Sequence, residues 1–172
     1  MTRIDLKDAV IKLKDGGGQE LEIKIGEGNL TYSEKKSIKY MPDRGLLDDV
    51  VEGDEVPMDV SFSFIWQYLK GPSSSSTQPS TGAGAVPTIE DALKQSGAAL
   101  FWVSTDTDAC RPYAVDIEIT YAPTPSTCGD QEVILLADFR YEELNHDLRN
   151  ASVACSGKCN ATKAIINRTA QN

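Results

Sequence analysis

Histidine is all but absent from this chain: His146 is the one copy in 172 residues. Zinc sites built on paired imidazoles are thereby excluded. The four cysteines, Cys110, Cys128, Cys155 and Cys159, supply one close pair, Cys155-x-x-x-Cys159. Zinc sites usually show tighter cysteine pairs or added histidines. In an extended strand Cys155 and Cys159 share a face roughly 13 Å apart, too far for a mutual disulfide. Three states stay open for these thiols: buried and free in a reducing compartment, a disulfide from Cys128 to Cys155 or Cys159, or a four-cysteine metal site. No apolar run reaches about 18 residues, so no transmembrane helix is expected. The stretch MTRIDLKDAV is charged from Arg3 onward and has no apolar segment, so it does not read as a secretory signal, and folding in a cytosol is expected. Positive charge is also scarce, with 17 Lys and Arg against 26 Asp and Glu and a net charge of −9. That balance argues against nucleic-acid binding through phosphate contacts, which need Lys and Arg.

What the chain does have is alternation. In Met58–Tyr68, apolar residues take every second position: Met58, Val60, Phe62, Phe64, Trp66 and Tyr68. Asp59, Ser61, Ser63 and Gln67 fall between them, and only Ile65 breaks the polar set. Successive side chains of a strand point to opposite faces, so this stretch reads as a central strand with one face in a core and the other wet. Ile11 and Leu13, then Leu21, Ile23 and Ile25, alternate on either side of Asp15-Gly-Gly-Gly18, the pattern of a hairpin. Asn29–Lys36 extends or restarts that strand. The GGG is no phosphate loop, since neither Lys-Ser/Thr nor a helix follows it. Ala98–Val103 reads as a short buried strand. Tyr113–Tyr121 alternates, and so does Val133–Glu142, with Val133, Leu135, Ala137, Phe139 and Tyr141 expected inward. Ser152–Cys159 is the last clear strand, with Gly157 marking a bulge.

Three segments interrupt this pattern. Met41–Val56 holds six acids (Asp43, Asp48, Asp49, Glu52, Asp54, Glu55) against one base, Arg44. It also carries Leu46, Leu47, Val50 and Val51, an apolar set that needs a partner. A loop this long is unusual unless functional, and the reading is a protein–protein contact loop over residues 38–56. Its acids do not match calcium-loop spacing. Residues 71–87, GPSSSSTQPSTGAGAVP, form a flexible low-complexity insertion without a domain boundary. Thr88-Ile-Glu-Asp91 is a capping-box variant opening a helix over Ile89–Ser96, with Ile89, Ala92 and Leu93 on one face and Gly97 suited to its C-terminal αL position. The whole is expected to be one domain over 1–172: mainly β, seven or eight strands in two packed antiparallel sheets (β-sandwich or barrel-like), one flanking short helix and a long inter-subunit loop.

No catalytic constellation stands out. His146 lies beside Asp147 in sequence, but no G-x-S-x-G elbow exists and the histidine reads as an ordinary loop or helix-turn residue. Adjacent acids such as Glu142 and Glu143 are expected by chance in so acidic a chain. Four N-x-S/T sites, at Asn29, Asn150, Asn160 and Asn167, mean little without a signal peptide. No enzyme activity, cofactor or metal is expected.

The residues do resemble a family. The hairpin from Ile11 to Ile25, then Gly26-Glu-Gly-Asn-Leu30, Asp43-Arg-Gly45, and Gly53-Asp-Glu-Val-Pro57 leading into the alternating strand look like the start of bacteriophage tail tube proteins. Ala137-Asp-Phe-Arg140, Asn145-His-Asp-Leu148 and Ser156-Gly-Lys-Cys-Asn160 look like their end. The resemblance spans most of the chain outside the Ser-rich stretch. Such proteins are similar to the tube proteins of type VI secretion systems. The resemblance implies two packed sheets with a flanking helix, six copies in a ring, and rings stacked into a hollow tube that carries the genome into the host. The implied location is the virion tail, assembled in the host bacterial cytoplasm. Implied partners are other copies, other tail proteins (sheath if the tail contracts, tail tip or baseplate, terminator), and viral DNA passing without specific binding. Leu46, Leu47, Asp48, Asp49, Val50 and Val51 would then contact a neighbouring subunit. Asp59, Ser61, Ser63 and Gln67 would face the lumen, where acidic walls repel DNA within a Debye length of about 8–10 Å. Charge reversal at Asp48 and Asp49, or deletion of Met41–Val56, is expected to abolish polymerisation. A ring-forming tail-completion or secretion-tube-like protein is the alternative. A lone β-sandwich binding module or small enzyme is the reading from a different class.

Overall fold

The structure, a computed structural model, describes residues 9–25, 29–66, 87–122 and 131–169. In chain order the strands are β1 (Ala9–Lys14), β2 (Glu20–Glu22), β3 (Leu30–Ser33), β4 (Ile38–Asp43), β5 (Leu46–Glu52) and β6 (Met58–Ile65). Helix α1 (Ile89–Lys94) and a 3-10 turn at Gly97–Ala99 follow, then β7 (Val115–Tyr121), β8 (Gln131–Asp147), β9 (Ser152–Cys159) and β10 (Ile165–Thr169). The fold is mainly β, with two antiparallel sheets and one short helix. The large sheet runs β2-β1-β7-β8-β9-β6-β3, with β10 also paired to β8, and β4-β5 form the small one. Among the described residues no helix is long and apolar enough to cross a membrane.

Strand β8 is the hinge of this arrangement. Its first part pairs with β7 on one edge and β10 on the other, and its second part pairs with β9. The two halves of the large sheet bury one common core. Ile11, Leu13, Ile117 and Leu136 come from one half, and Met58, Val60, Phe62, Phe64, Val153, Cys155 and Cys159 from the other. Backbone bonds from Ile65 N to Lys24 O (2.9 Å) and from Ser63 N to Asn29 O (3.1 Å) draw the chain after β2 toward β6, giving the barrel-like closure. The alternation expected over Met58–Tyr68 holds along β6, where Met58, Val60, Phe62 and Phe64 are buried and the residues between them are not, but it stops there: Trp66 is exposed, and Tyr68 lies outside the described residues.

In β8 the strict alternation expected from the sequence is broken by an inserted residue. Leu136 and Phe139 are the buried pair, while Val133, Leu135 and Ala137 are half-buried and Tyr141 is exposed. Val115 pairs with Phe139 and Ile117 with Leu136, so three steps along β8 oppose two along β7. Asp138, at φ +53, takes up the extra residue. A second irregularity falls between Tyr141 and Glu143, opposite Gly157. A Cβ at Gly157 would lie 2.1 Å from the Arg140 carbonyl oxygen and 2.8 Å from the Tyr141 Cα. These are backbone atoms that cannot rotate away. Gly157→Ala is therefore expected to destabilise the fold by about 1–3 kcal/mol, read as a lower denaturant midpoint. A midpoint within error of the unmodified protein would show that the sheet does not close this tightly.

Two local expectations are corrected. Ala98–Val103 is not a strand. It forms the 3-10 turn and a following turn in which only Ala99 and Trp102 are buried. The two buried positions are spaced i, i+3, which suits a 3-10 turn and not a strand. Helix α1 ends at Lys94, two residues early, because Gln95, and not Gly97, takes the left-handed position at its end, at φ 49; Gly97 opens the 3-10 turn instead. Its start follows the sequence: Asp91 N donates to Thr88 Oγ1 (3.1 Å) and Thr88 N to Asp91 Oδ2 (3.2 Å). Strand β10 went unread because IINRT has no alternation to betray it.

Cys155 and Cys159 are buried and free, and burial pushes each thiol up to about 12. They are packing groups rather than thiolates at neutral pH. Cys110 is exposed and free, and Cys128 lies outside the described residues. Among the described residues no cluster of three or more His, Cys, Asp or Glu is arranged to hold a metal.

Candidate assembly surfaces

The acidic stretch expected as a loop is a β-hairpin. Asp43 pairs with Leu46 across a two-residue turn in which Arg44 (φ 49) and Gly45 (φ 83) both have positive φ. This is the turn whose twist matches that of paired strands. At the root, Gly53 N donates to Ser37 O at 2.8 Å, and Lys36 Nζ lies 2.9 Å from Glu52 Oε1. Among the described residues β4 and β5 pair only with each other. Every side chain on them except Val51 is exposed. An isolated two-stranded hairpin is marginal in water, so this one projects in want of a partner.

Its register decides what it presents. Met41 pairs with Asp49 but Pro42 pairs with Leu47, which leaves Asp48 as an unpaired bulge residue. Without that insertion, strict alternation would put Asp48 beside Val50. With it, Ile38, Tyr40, Pro42, Leu47 and Val50 share one face, joined by Glu52. Lys39, Met41, Asp43, Leu46, Asp49 and Val51 share the other. The six residues expected to act together, Leu46 to Val51, are thus divided: Leu47 and Val50 on the apolar face, Leu46, Asp49 and Val51 on the charged one, and Asp48 at the bulge. Ile38 and Tyr40 were missed, although the alternation of Ile38-Lys-Tyr40 was there to be read. Leu46 and Leu47 are among the most exposed large apolar side chains described, at 76% and 74%.

The second surface is the outer face of the β3-β6-β9-β8 half-sheet. Asp59, Ser61 and Ser63 lie on it, as expected for the polar side of β6, while Gln67 lies outside the described residues. Register adds neighbours that single-strand reading cannot supply. Ser33 and Lys158 flank Asp59, Thr31 and Ser156 flank Ser61, and Ala154 adjoins Ser63. Along β3 and β6 the face is small and hydroxyl-rich, and toward β8 it carries acids: Glu142 lines its depression and Glu143 pairs with Ser156. Asp59 is ion-paired with Lys35, whose hydrogen bond holds its carboxyl below the usual carboxylate range. Lys158 Nζ lies 3.8 Å from Glu142 Oε1. A shallow depression of about 270 Å³ runs between Thr31, Ser33, Asp59, Ser61 and Ser156.

His146 is a strand residue near the end of β8 rather than part of a loop. Its Nε2 lies 3.2 Å from Glu90 Oε2, and its ring meets Trp66 edge-on at 5.7 Å. Burial works to raise Glu90, but hydrogen bonds from Lys94 and His146 outweigh it and hold the carboxyl low. The contact ties α1 to the sheet.

No family model matches the chain, and no curated protein matches it. Solved structures do. The cap that terminates the tube of the anti-feeding prophage, determined by cryo-EM, superposes with a TM-score of 0.59 at 8% identity, over 98% of this chain and 93% of that one. The sheath/tube terminator of an extracellular contractile injection system, PVC, in its extended state superposes at 0.53 and 9% identity, over 97% and 98%. This chain shares the fold of those two structures. At such identities the likeness is one of fold, with each chain matched nearly end to end.

Proposed function

We propose that this protein is a ring-forming tail-completion protein: a terminator that closes the tube of a phage tail or related contractile injection particle. The observation that carries the reading is the near end-to-end superposition on two tube terminators. Its structure adds support. The hairpin has an exposed apolar face, and among the described residues its strands pair only with each other. A channel wall would have the opposite demands, and the hydroxyl-rich face around Ser61 suits them, since its Lys35 and Lys158 are paired with Asp59 and Glu142 and offer no free cation to a passing polyanion. The role is structural rather than catalytic. Partners would be further copies of the chain and the end of the tube, with sheath where the tail contracts, and the place of action is the tail of the particle.

The tube subunit implied by the sequence resemblance is the second reading, and the same hairpin favours it. The two differ in how far assembly proceeds. Negative-stain electron microscopy across a concentration series separates them. A terminator is expected to stop at single rings, or short stacks of them, at every concentration. Long striated tubes from the purified protein would reassign it as the tube subunit. A monomer at all concentrations would overturn both.

A further inference from the structure

We infer that the surface formed by Leu100, Phe101 and Val103 is the dock for the β4-β5 hairpin of a second copy. The inference rests on the ring-forming reading above and names the contact that would build the ring. Leu100, Phe101 and Val103 are exposed at 66%, 60% and 53%. They lie in an irregular segment, yet that segment is held firmly. The buried Asp15 carboxylate accepts from Val103 N (3.0 Å), Gly17 N (3.0 Å) and Gln19 N (2.6 Å). Gly16 N donates to Val103 O (2.9 Å) and Gln95 Nε2 to Trp102 O (2.8 Å). Trp102 and Ala99 anchor it in the core. Three large apolar side chains are thus held outward on a rigid base, which lowers the entropy cost of docking.

Size and charge select the occupant. Each apolar surface offers on the order of 400 Å², taking aromatic side chains at about 150–250 Å². A standard interface buries about 800 Å² per partner, a little over half of it apolar, so the two surfaces match each other and that requirement. A hairpin-to-hairpin contact would set Asp43, Asp48, Asp49 and Glu52 of one copy against the same acids of another. The dock avoids this. Residues 96–105 carry no charge, Lys94 lies just before them, and the acids beside them are occupied: Asp15 is buried and bonded to backbone N–H groups, and Asp106 is paired with Arg140 (2.7 Å) and Arg111 (3.5 Å). Two unlike surfaces on one chain make a head-to-tail contact, which closes into a ring when the rotation per step permits.

The test uses two variants of the full chain. L100S/F101S spoils the dock, and Y40S/L47S spoils the hairpin. All four side chains are exposed, and circular dichroism with thermal melting checks that each variant folds. Analytical ultracentrifugation of each alone is expected to show monomer at concentrations at least about tenfold above those at which the unmodified protein assembles. Mixed in equal amounts, they are expected to form a dimer and stop, because each retains the half that the other lacks. A dock variant that assembles like the unmodified protein overturns the inference and leaves the ring-forming reading standing. Two defective variants that form no dimer when mixed also overturn it. An unmodified protein that stays monomeric throughout overturns the ring-forming reading itself.

Discussion

A chain in which residues 38–52 are replaced by a short Gly-Ser turn is expected to stay folded and to lose its higher-order assembly. The structure says where to cut. Gly53 N and Ser37 O are 2.8 Å apart, so the ends of the deletion already meet and a turn can close them without strain. The hairpin gives little to the fold it springs from. Among the described residues its strands pair only with each other, and their side chains are exposed except for half-buried Val51. Loss of such surface residues changes stability by no more than about 0.5–1 kcal/mol. Assembly should instead suffer the loss of a whole apolar face, Ile38, Tyr40, Leu47 and Val50. A contact of that kind concentrates its energy in a few buried side chains, and its removal weakens association by roughly a hundredfold or more. Sedimentation velocity beside a thermal melt measures both halves of the expectation. An assembly that survives the deletion would remove the hairpin from the interface. A collapse of the melt would show the hairpin to be part of the fold. Charge reversal of Asp48 and Asp49 is a milder version, since Asp48 is the bulge residue and Asp49 lies on the charged face.

Phe139→Ala is expected to be the most damaging single core substitution, at about 3–5 kcal/mol. Phe139 stands where the two halves of the large sheet meet. Its backbone pairs with Val115 on one side and Cys159 on the other, and its ring lies 5.8 Å from that of Phe62. The side chain is 1% exposed. Truncation removes the transfer energy of the ring, leaves a cavity that strands on both sides cannot collapse into, and deletes an aromatic pair worth about 0.5–1.5 kcal/mol. For a chain of this size the melting temperature should fall by roughly 10–15 °C. Phe139→Leu, which keeps most of the volume, should cost far less. Chemical denaturation of the two variants checks this, and a loss under about 1 kcal/mol for Phe139→Ala would mean that the halves do not pack through this ring.

Much of this architecture was legible because it depends on near neighbours in sequence. The pattern of β6 put Phe62 and Phe64 in the core and Ser61 and Ser63 outside without knowledge of any other strand. Thr88 and Asp91 announced the start of α1, since a capping box closes within four residues. Asp43-Arg-Gly45 announced a turn, since the positive φ of its two central residues is local too. The misreadings share a cause. Leu136 displaces Leu135 from the core because a bulge at Asp138 shifts the parity of β8, and that bulge exists to meet the register of β7. Leu47 joins Val50 because a bulge at Asp48 does the same in the hairpin. Leu100, Phe101 and Val103 looked like core because an apolar run has no marker for which side chains find cover.

Which stretches alternate, where turns and the helix begin, and that the chain is acidic and mainly β can all be read along the chain. Those follow from side-chain chemistry acting over a few residues. Tertiary structure alone decided which strands pair, where an inserted residue reverses a face, and which apolar groups are left in water. These are settled by contacts between residues as far apart as Lys14 and Glu118, or Gly157 and Arg140. Register is a property of a pair of strands, and no single strand carries it. The surfaces assigned here to assembly are products of register and cover, so they came into view only with the fold.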